Sequence, residues 1–317
     1  MIVVTLSLAE LAANAPPWEP FGWLTVLLFG LGILWHWQGS IPMERLFSSL
    51  GWLSLAVLWV VMVPYFFFEA RSPIQAVLVT LAIPLSVWAG VVRWRGREQL
   101  FVFSKVVTVA GLIYLTAYTI EPVRRWLIET VAAQTHWLMG LFGHSPGLAP
   151  GPDAGYLSLF AFDAHTTYIV MACTGIGSIS IFAGAILSVG GSPGRRLGAM
   201  FLVSGLIYGL NLLRNVFVGL ATPLGWFSFE PFISVAGVFG VEATRASFFI
   251  SHTLLAQPAS LIALIALLVL SVRLVPELFT LLDEIVFLLT GDEVDLRAEI
   301  GPKLLGEDPG STTQMAD

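Results

Sequence analysis

Of the chain's 317 residues, 56% are hydrophobic and only 11% are charged, with a mean hydropathy of +0.84. Soluble domains carry about 25% charged residues, so this composition excludes an ordinary soluble enzyme or a nucleic-acid binder and points to a polytopic membrane protein. A single cysteine, Cys173, excludes an internal disulfide and any multi-cysteine metal site, and the net charge of −6 arises largely from acidic residues after position 275.

In chain order, the opening MIVVTLSLAELAANAPPWEP lacks the basic start of a secretory signal peptide and reads as an extramembrane lead-in. Apolar runs of roughly 20 residues, enough to cross a bilayer, predict seven spans at 20 to 36, 49 to 68, 74 to 92, 101 to 120, 167 to 189, 198 to 219 and 247 to 272. An eighth span over 124 to 143 is the alternative. The basic cluster RWRGRE at 93 to 98 and the pair Arg195-Arg196 fall between spans. The positive-inside rule puts both in the cytoplasm, with the N-terminus outside and the C-terminal tail inside. Residues 121 to 166 then lie outside, as an interfacial helix, RRWLIETVAAQTHWLMGLF, followed by the Gly/Pro-rich HSPGLAPGPDAG. A second outer segment, 221 to 246, is rich in aromatics. The expected architecture is an all-α bundle of about seven transmembrane helices. It comprises a transmembrane domain over 1 to 275, with the catalytic spans inside 167 to 272, and a partly disordered, acidic cytoplasmic tail over 276 to 317.

Arg214, in LNLLRNVFV, is what apolar composition does not explain, since a cation within a span costs about 2.5–3.5 kcal/mol and usually faces the bundle interior with a partner or a task. Ser204, Tyr208, Asn211 and Asn215 form a polar stripe on the same helix, and the two asparagines are candidate substrate-binding residues. His252, in FFISHTLL, lies early in the last span, and Cys173, in MACTGIGS, lies early in the fifth. At 1.5 Å per helical residue the topology puts Cys173, Arg214 and His252 at a common depth, roughly 8–9 Å beneath the outer surface. Thr166, Gly177, Ser180 and Gly184 are expected to share the Cys173 face and to pack on Gly205 and Gly209 of the next span.

The three residue types suffice for amide cleavage. A cysteine attacks as its thiolate, His252 can take the thiol proton and return it to a leaving amine, and Arg214, which cannot act as a base, can donate to the developing oxyanion. The product is a thioester. Asp163, His165 and Glu242 lie on nearby outer segments, as solvated loop residues or as groups that orient His252 or the substrate. Two other classes compete. One is a small-solute or anion transporter with Arg214 in the binding site, which would need polar residues through the whole bundle; the other is a noncatalytic assembly protein in which Cys173 is packing.

The order AC-x-G-x-x-S at 172 to 178, N-x-x-R-N at 211 to 215, then a histidine near the start of the following span, resembles the exosortase/archaeosortase group of membrane transpeptidases, most closely its archaeosortase A branch. The resemblance implies Cys173 as nucleophile and Arg214 as a catalytic arginine. Its third position is His in many members and Arg in others, which leaves His252 and Arg245 as alternatives. It further implies exported surface proteins as substrates, such as a surface-layer glycoprotein, each ending in a short motif of Pro-Gly-Phe type, an apolar helix and a basic cluster. The helix is removed near the outer face of the cell membrane and the new carboxyl terminus passes to a membrane phospholipid. No cofactor, metal or nucleic acid is expected.

Overall fold

The computed structural model describes residues 16–69, 73–152, 154–162 and 165–305. The chain divides into two compact units, one running to Leu115 and including Thr280–Leu296, the other covering Thr116–Phe279 and the residues from Arg297.

The first unit is helical. Helices α1 (Glu19–Trp37), α2 (Ile41–Pro64), α3 (Pro73–Trp94) and most of α4 (Phe101–Thr119) are joined by later residues of α10 (Phe279–Thr290). Phe29, Trp52, Ala89, Val92, Leu100 and Leu288 form its core, with the Phe29 ring edge-on to Trp52 at 5.6 Å. Phe29 also lies over Gly51, where a Cβ would come within 2.8 Å of the ring, so α1 and α2 approach more closely than any side chain there would allow. One end of the unit is polar. Glu44 and Arg93, each 1% exposed, form an ion pair; Ser48 donates to Glu44 at 2.8 Å, and Ser104 to Ser48 at 3.2 Å. Arg97 grips Glu284 through two 2.7 Å bonds, reaches Glu293 at 2.6 Å and lies 3.3 Å over the Phe287 ring. Two parallel guanidinium–carboxylate bonds fix orientation as well as charge, and the Arg97 guanidinium is held above its ordinary range, chiefly by Glu284.

The second unit begins with α5 (Glu121–Leu141), which buries Ile128, Val131, Ala132, Thr135 and Met139 and leaves Trp126 and Trp137 exposed. A three-stranded antiparallel sheet follows, in the order β1 (Gly147–Pro150), β2 (Leu157–Ala161), β3 (Thr166–Tyr168). Glu129 on α5 accepts from the Leu157 amide at 3.2 Å, and the His136 ring bonds the Pro146 carbonyl at 2.9 Å, so the sheet is tied to the helix. After a 3-10 turn (Met171–Thr174) come α6 (Ile176–Ser188), α7 (Pro193–Ala221), the short α8 (Phe232–Val238) and the long α9 (Ala243–Leu274). Helix α11 (Leu296–Leu305) straddles the third boundary between the units. The core combines Ile128, Val131, Met139, Tyr156, Phe160, Ile169, Met171, Val216 and Leu220.

Among the described residues six helices are long and apolar enough to cross a membrane: Glu19–Trp37, Ile41–Phe68, Gln75–Trp94, Phe101–Thr119, Pro193–Ala221 and Ala243–Leu274. The fifth expected span, 167 to 189, differs. Residues 167 to 189 form a strand end, a 3-10 turn and a helix of 13 residues. Such a helix is about 20 Å long, short of a hydrocarbon core of about 30 Å. The break lies at Gly175, whose φ of +78° ends the turn in a left-handed conformation. The eighth candidate, over 124 to 143, is helical as α5 but carries four charges in its first nine residues, Glu121, Arg124, Arg125 and Glu129. The expected acidic tail is structured as far as Leu305 and buries Glu284 to 4% exposure; the expected disorder falls on 306 to 317, outside the described residues.

Candidate active site

Cys173 is half-buried in the 3-10 turn between β3 and α6. It therefore precedes a helix rather than lying early in a transmembrane one, which removes the helical rise that gave its depth, and Thr166 belongs to a strand rather than to a shared helical face. The turn has local causes. The Cys173 amide donates to the Val170 carbonyl at 2.8 Å, and the Thr174 hydroxyl donates to the Met171 carbonyl at 2.7 Å and accepts from the Ile176 amide at 3.4 Å. Gly175 is required twice: its φ is positive, and a Cβ there would come within 3.3 Å of Asn211 Cγ. By contrast, a Cβ at Gly205 or Gly209 would meet nothing within 4 Å, so the expected small-residue seam is not where α7 meets the turn.

Helix α7 holds the turn through two amides. Asn211 Nδ2 donates to the Cys173 carbonyl at 2.6 Å and Asn215 Nδ2 donates to the same oxygen at 2.8 Å, filling both of its lone-pair directions. The two residues are four apart and share a helix face, with Arg214 beside them. The asparagines expected to bind substrate thus bind the backbone carbonyl of Cys173. One turn earlier, the Tyr208 hydroxyl donates to Gln134 Oε1 at 2.6 Å, which joins α7 to α5.

Arg214 and His252 meet at 3.0 Å, Nη2 to Nε2. A guanidinium only donates, so Nε2 is the acceptor and the ring is neutral with its proton on Nδ1. Two features bring His252 to this position. The Ser247 hydroxyl donates to the Ala221 carbonyl at 2.6 Å, pinning the start of α9 to the end of α7. Residues Phe249–Ala256 then form a π-helical stretch, a wider winding common at functional sites, and His252 lies within it with its ring stacked on Phe248 at 4.9 Å. Phe248 and the π-helical stretch left no sign in the hydropathy pattern. Arg245 is exposed on the 3-10 turn Ala243–Arg245 and, among the described residues, is not a partner of Cys173, Arg214 or His252. Glu242 and His165 are exposed as well, and Asp163 lies outside the described residues. No group of three His, Cys, Asp or Glu side chains suited to a metal occurs among the described residues.

The sequence of residues 18–225 matches the family model described as transmembrane exosortase. The chain belongs to the exosortase family. The family match takes in Cys173, Asn211, Arg214 and Asn215 and ends before His252. Two relatives extend the likeness. Archaeosortase A of Haloferax volcanii is 37% identical over 295 residues, which is 88% of this chain and 96% of the relative. Archaeosortase A of Natronomonas pharaonis is 31% identical over 304 residues, 92% of this chain and 96% of the relative. No solved structure matches the chain. With its apolar helices, this exosortase-family chain is a multi-pass membrane protein.

Proposed function

We propose that the protein is a membrane cysteine transpeptidase that cuts the C-terminal sorting signal from exported surface proteins, near the outer face of the membrane, and passes the new C-terminus to a membrane lipid. The observation that carries this reading is the pair of contacts on one face of α7: Asn211 and Asn215 fix the Cys173 backbone while the adjacent Arg214 bonds His252. The archaeosortase A relatives support the same chemistry.

In the proposed reaction the Cys173 thiol gives its proton to Nε2 of His252 as the sulfur attacks the scissile carbonyl, and the carbonyl π pair moves to oxygen. A protonated Nε2 no longer accepts from Arg214. That guanidinium N–H is released as the oxyanion forms and can donate to it. Collapse breaks the C–N bond, the leaving amine takes the proton from His252, and an acyl thioester remains on Cys173. A nucleophilic headgroup oxygen or nitrogen then attacks the thioester, its proton returns to His252 and the thiolate leaves; water in the same place would make the protein a peptidase. The supporting substrate class is an exported protein with a Pro-Gly-Phe-type motif, an apolar helix and a basic cluster.

Intact-mass analysis of surface proteins from cells carrying wild type or Cys173→Ala at equal abundance tests the reading. The expected result is that the full C-terminus is retained in the variant alone. Unchanged processed masses in the variant would sink it.

A further inference from the structure

A three-stranded sheet has two edges, and this one treats them differently. At β1 the edge is blunted by Pro150 and by a break in register between Ala149 and Pro150, both devices that prevent another strand from pairing. At β3 the sequence is Thr166-Thr167-Tyr168, with no proline, no charge and no bulge.

The ladder gives the direction of each backbone group. The Phe162 amide donates to the His165 carbonyl at 3.0 Å and the Ile169 amide to the Ser158 carbonyl at 2.9 Å. Hydrogen-bonded pairs alternate in an antiparallel ladder, so between these two the bonded pair is Phe160 and Thr167. The N–H and C=O of Thr166 and Tyr168 therefore point away from β2, and both residues are exposed, Tyr168 by 50%. Among the described residues no partner takes these groups. Bare hydrocarbon is no place for an open edge, because each unpaired backbone group there costs several kcal/mol.

The open edge also leads to the nucleophile. From Tyr168 the chain runs through Ile169 and Val170 into the Met171–Thr174 turn, and Cys173 is five residues on. At about 3.3 Å per residue, an extended peptide laid along β3 needs only some five residues to reach from Tyr168 to the thiol.

We infer that β3 is a docking strand: the segment of an exported protein that is to be cut pairs with the outward edge of Thr166–Tyr168 as a fourth strand and is thereby led to Cys173. This mode rests on the cleavage reading above. Backbone bonds to Thr166 and Tyr168 supply sequence-tolerant affinity, and alternate side chains of the peptide face the same side. A proline in the segment is accommodated only where its nitrogen faces away from β3.

Disulfide scanning tests the inference without turnover. Full-length protein carrying Cys173→Ala and Tyr168→Cys is co-expressed with an exported reporter ending in a Pro-Gly-Phe-type signal, with single cysteines stepped through the reporter segment, and membranes are oxidised with copper-phenanthroline. Residues opposite one another in a hydrogen-bonded antiparallel pair lie about 5.5 Å apart at Cα, within the range of a disulfide, whereas the flanking positions point to the other face. The expected result is adducts at alternate reporter positions, about tenfold above their neighbours. None is expected from Thr167→Cys, because the Thr167 hydroxyl lies 3.9 Å from the Cβ position of Gly219 on α7. Uniform labelling, a three-to-four-residue period or no adduct would overturn the strand while leaving the cleavage reading intact, provided that the reporter is processed only when Cys173 is present. Processing that is indifferent to Cys173→Ala would overturn both.

Discussion

Asn211 and Asn215 direct both amide groups at one carbonyl, that of Cys173, and in the proposed reaction they act through the position of its thiol. A hydrogen bond of this kind contributes about 1 kcal/mol net, so Asn215→Ala is expected to slow processing about fivefold by loss of kcat, with KM little changed. Asn215→Asp is the sharper probe. A carboxylate cannot donate, and it sets negative charge against the Cys173 carbonyl, so the loss should exceed that of Ala although the shape is retained. Time courses of reporter processing read the difference; equal losses for Ala and Asp would mean that the donor is not what matters. At this scale much was legible. Arg214 stood out because an apolar span seldom carries a cation, and the structure brings it within 3.0 Å of His252. The role of the asparagines was not legible, because nothing in N-x-x-R-N says whether the amides face a substrate or the chain itself.

At the scale of elements, the first unit depends on a pair that sequence patterning hides. Glu44 and Arg93 are 49 residues apart, and each alone reads as a loop-end charge; together they are buried with Ser48 and Ser104. Removing one partner leaves a buried charge, so Glu44→Ala or Arg93→Ala is expected to cost about 3–5 kcal/mol, while Glu44→Leu combined with Arg93→Met recovers much of it. Thermal unfolding in detergent measures this, and a mild effect of the single changes would contradict the burial. In the second unit Arg195, near the start of α7, pairs with Glu277, just after α9. Desolvation pushes the Glu277 carboxyl up, but its backbone hydrogen bond, Arg195 and Arg297 outweigh that and hold it below the ordinary 4.5. A depressed carboxyl stabilises fully above its unfolded pKa and loses the contribution as pH falls through the folded value. Wild type should therefore melt above Glu277→Gln at pH 7, and the gap should narrow as pH falls below about 4.5 and be lost through the lower folded value; a gap that does not narrow on acidification would contradict the assignment.

Across the whole molecule, the class of protein was legible from hydropathy alone, and six of the seven expected spans correspond to long apolar helices. The fifth did not, for a physical reason: a hydropathy window averages over Gly175 and cannot register a left-handed φ, so strand, turn and short helix blended into one apolar run. The sheet was missed for a similar reason. Its strands have only four, five and three residues: β1 lies in the Gly/Pro-rich stretch that reads as loop, β2 follows it directly, and β3 merges into the fifth apolar run. That misread segment carries Cys173, the proposed nucleophile, which moves from a helix flank to the exit of a sheet. The account stands or falls on an acyl thioester at this residue. Intact-mass spectrometry of the protein purified after brief turnover with an uncleaved reporter tests it most directly. The account predicts a fraction bearing the mass of the cleaved reporter, released by neutral hydroxylamine and absent from Cys173→Ala. Continued processing by Cys173→Ala, with no hydroxylamine-sensitive adduct on the wild type, would contradict it.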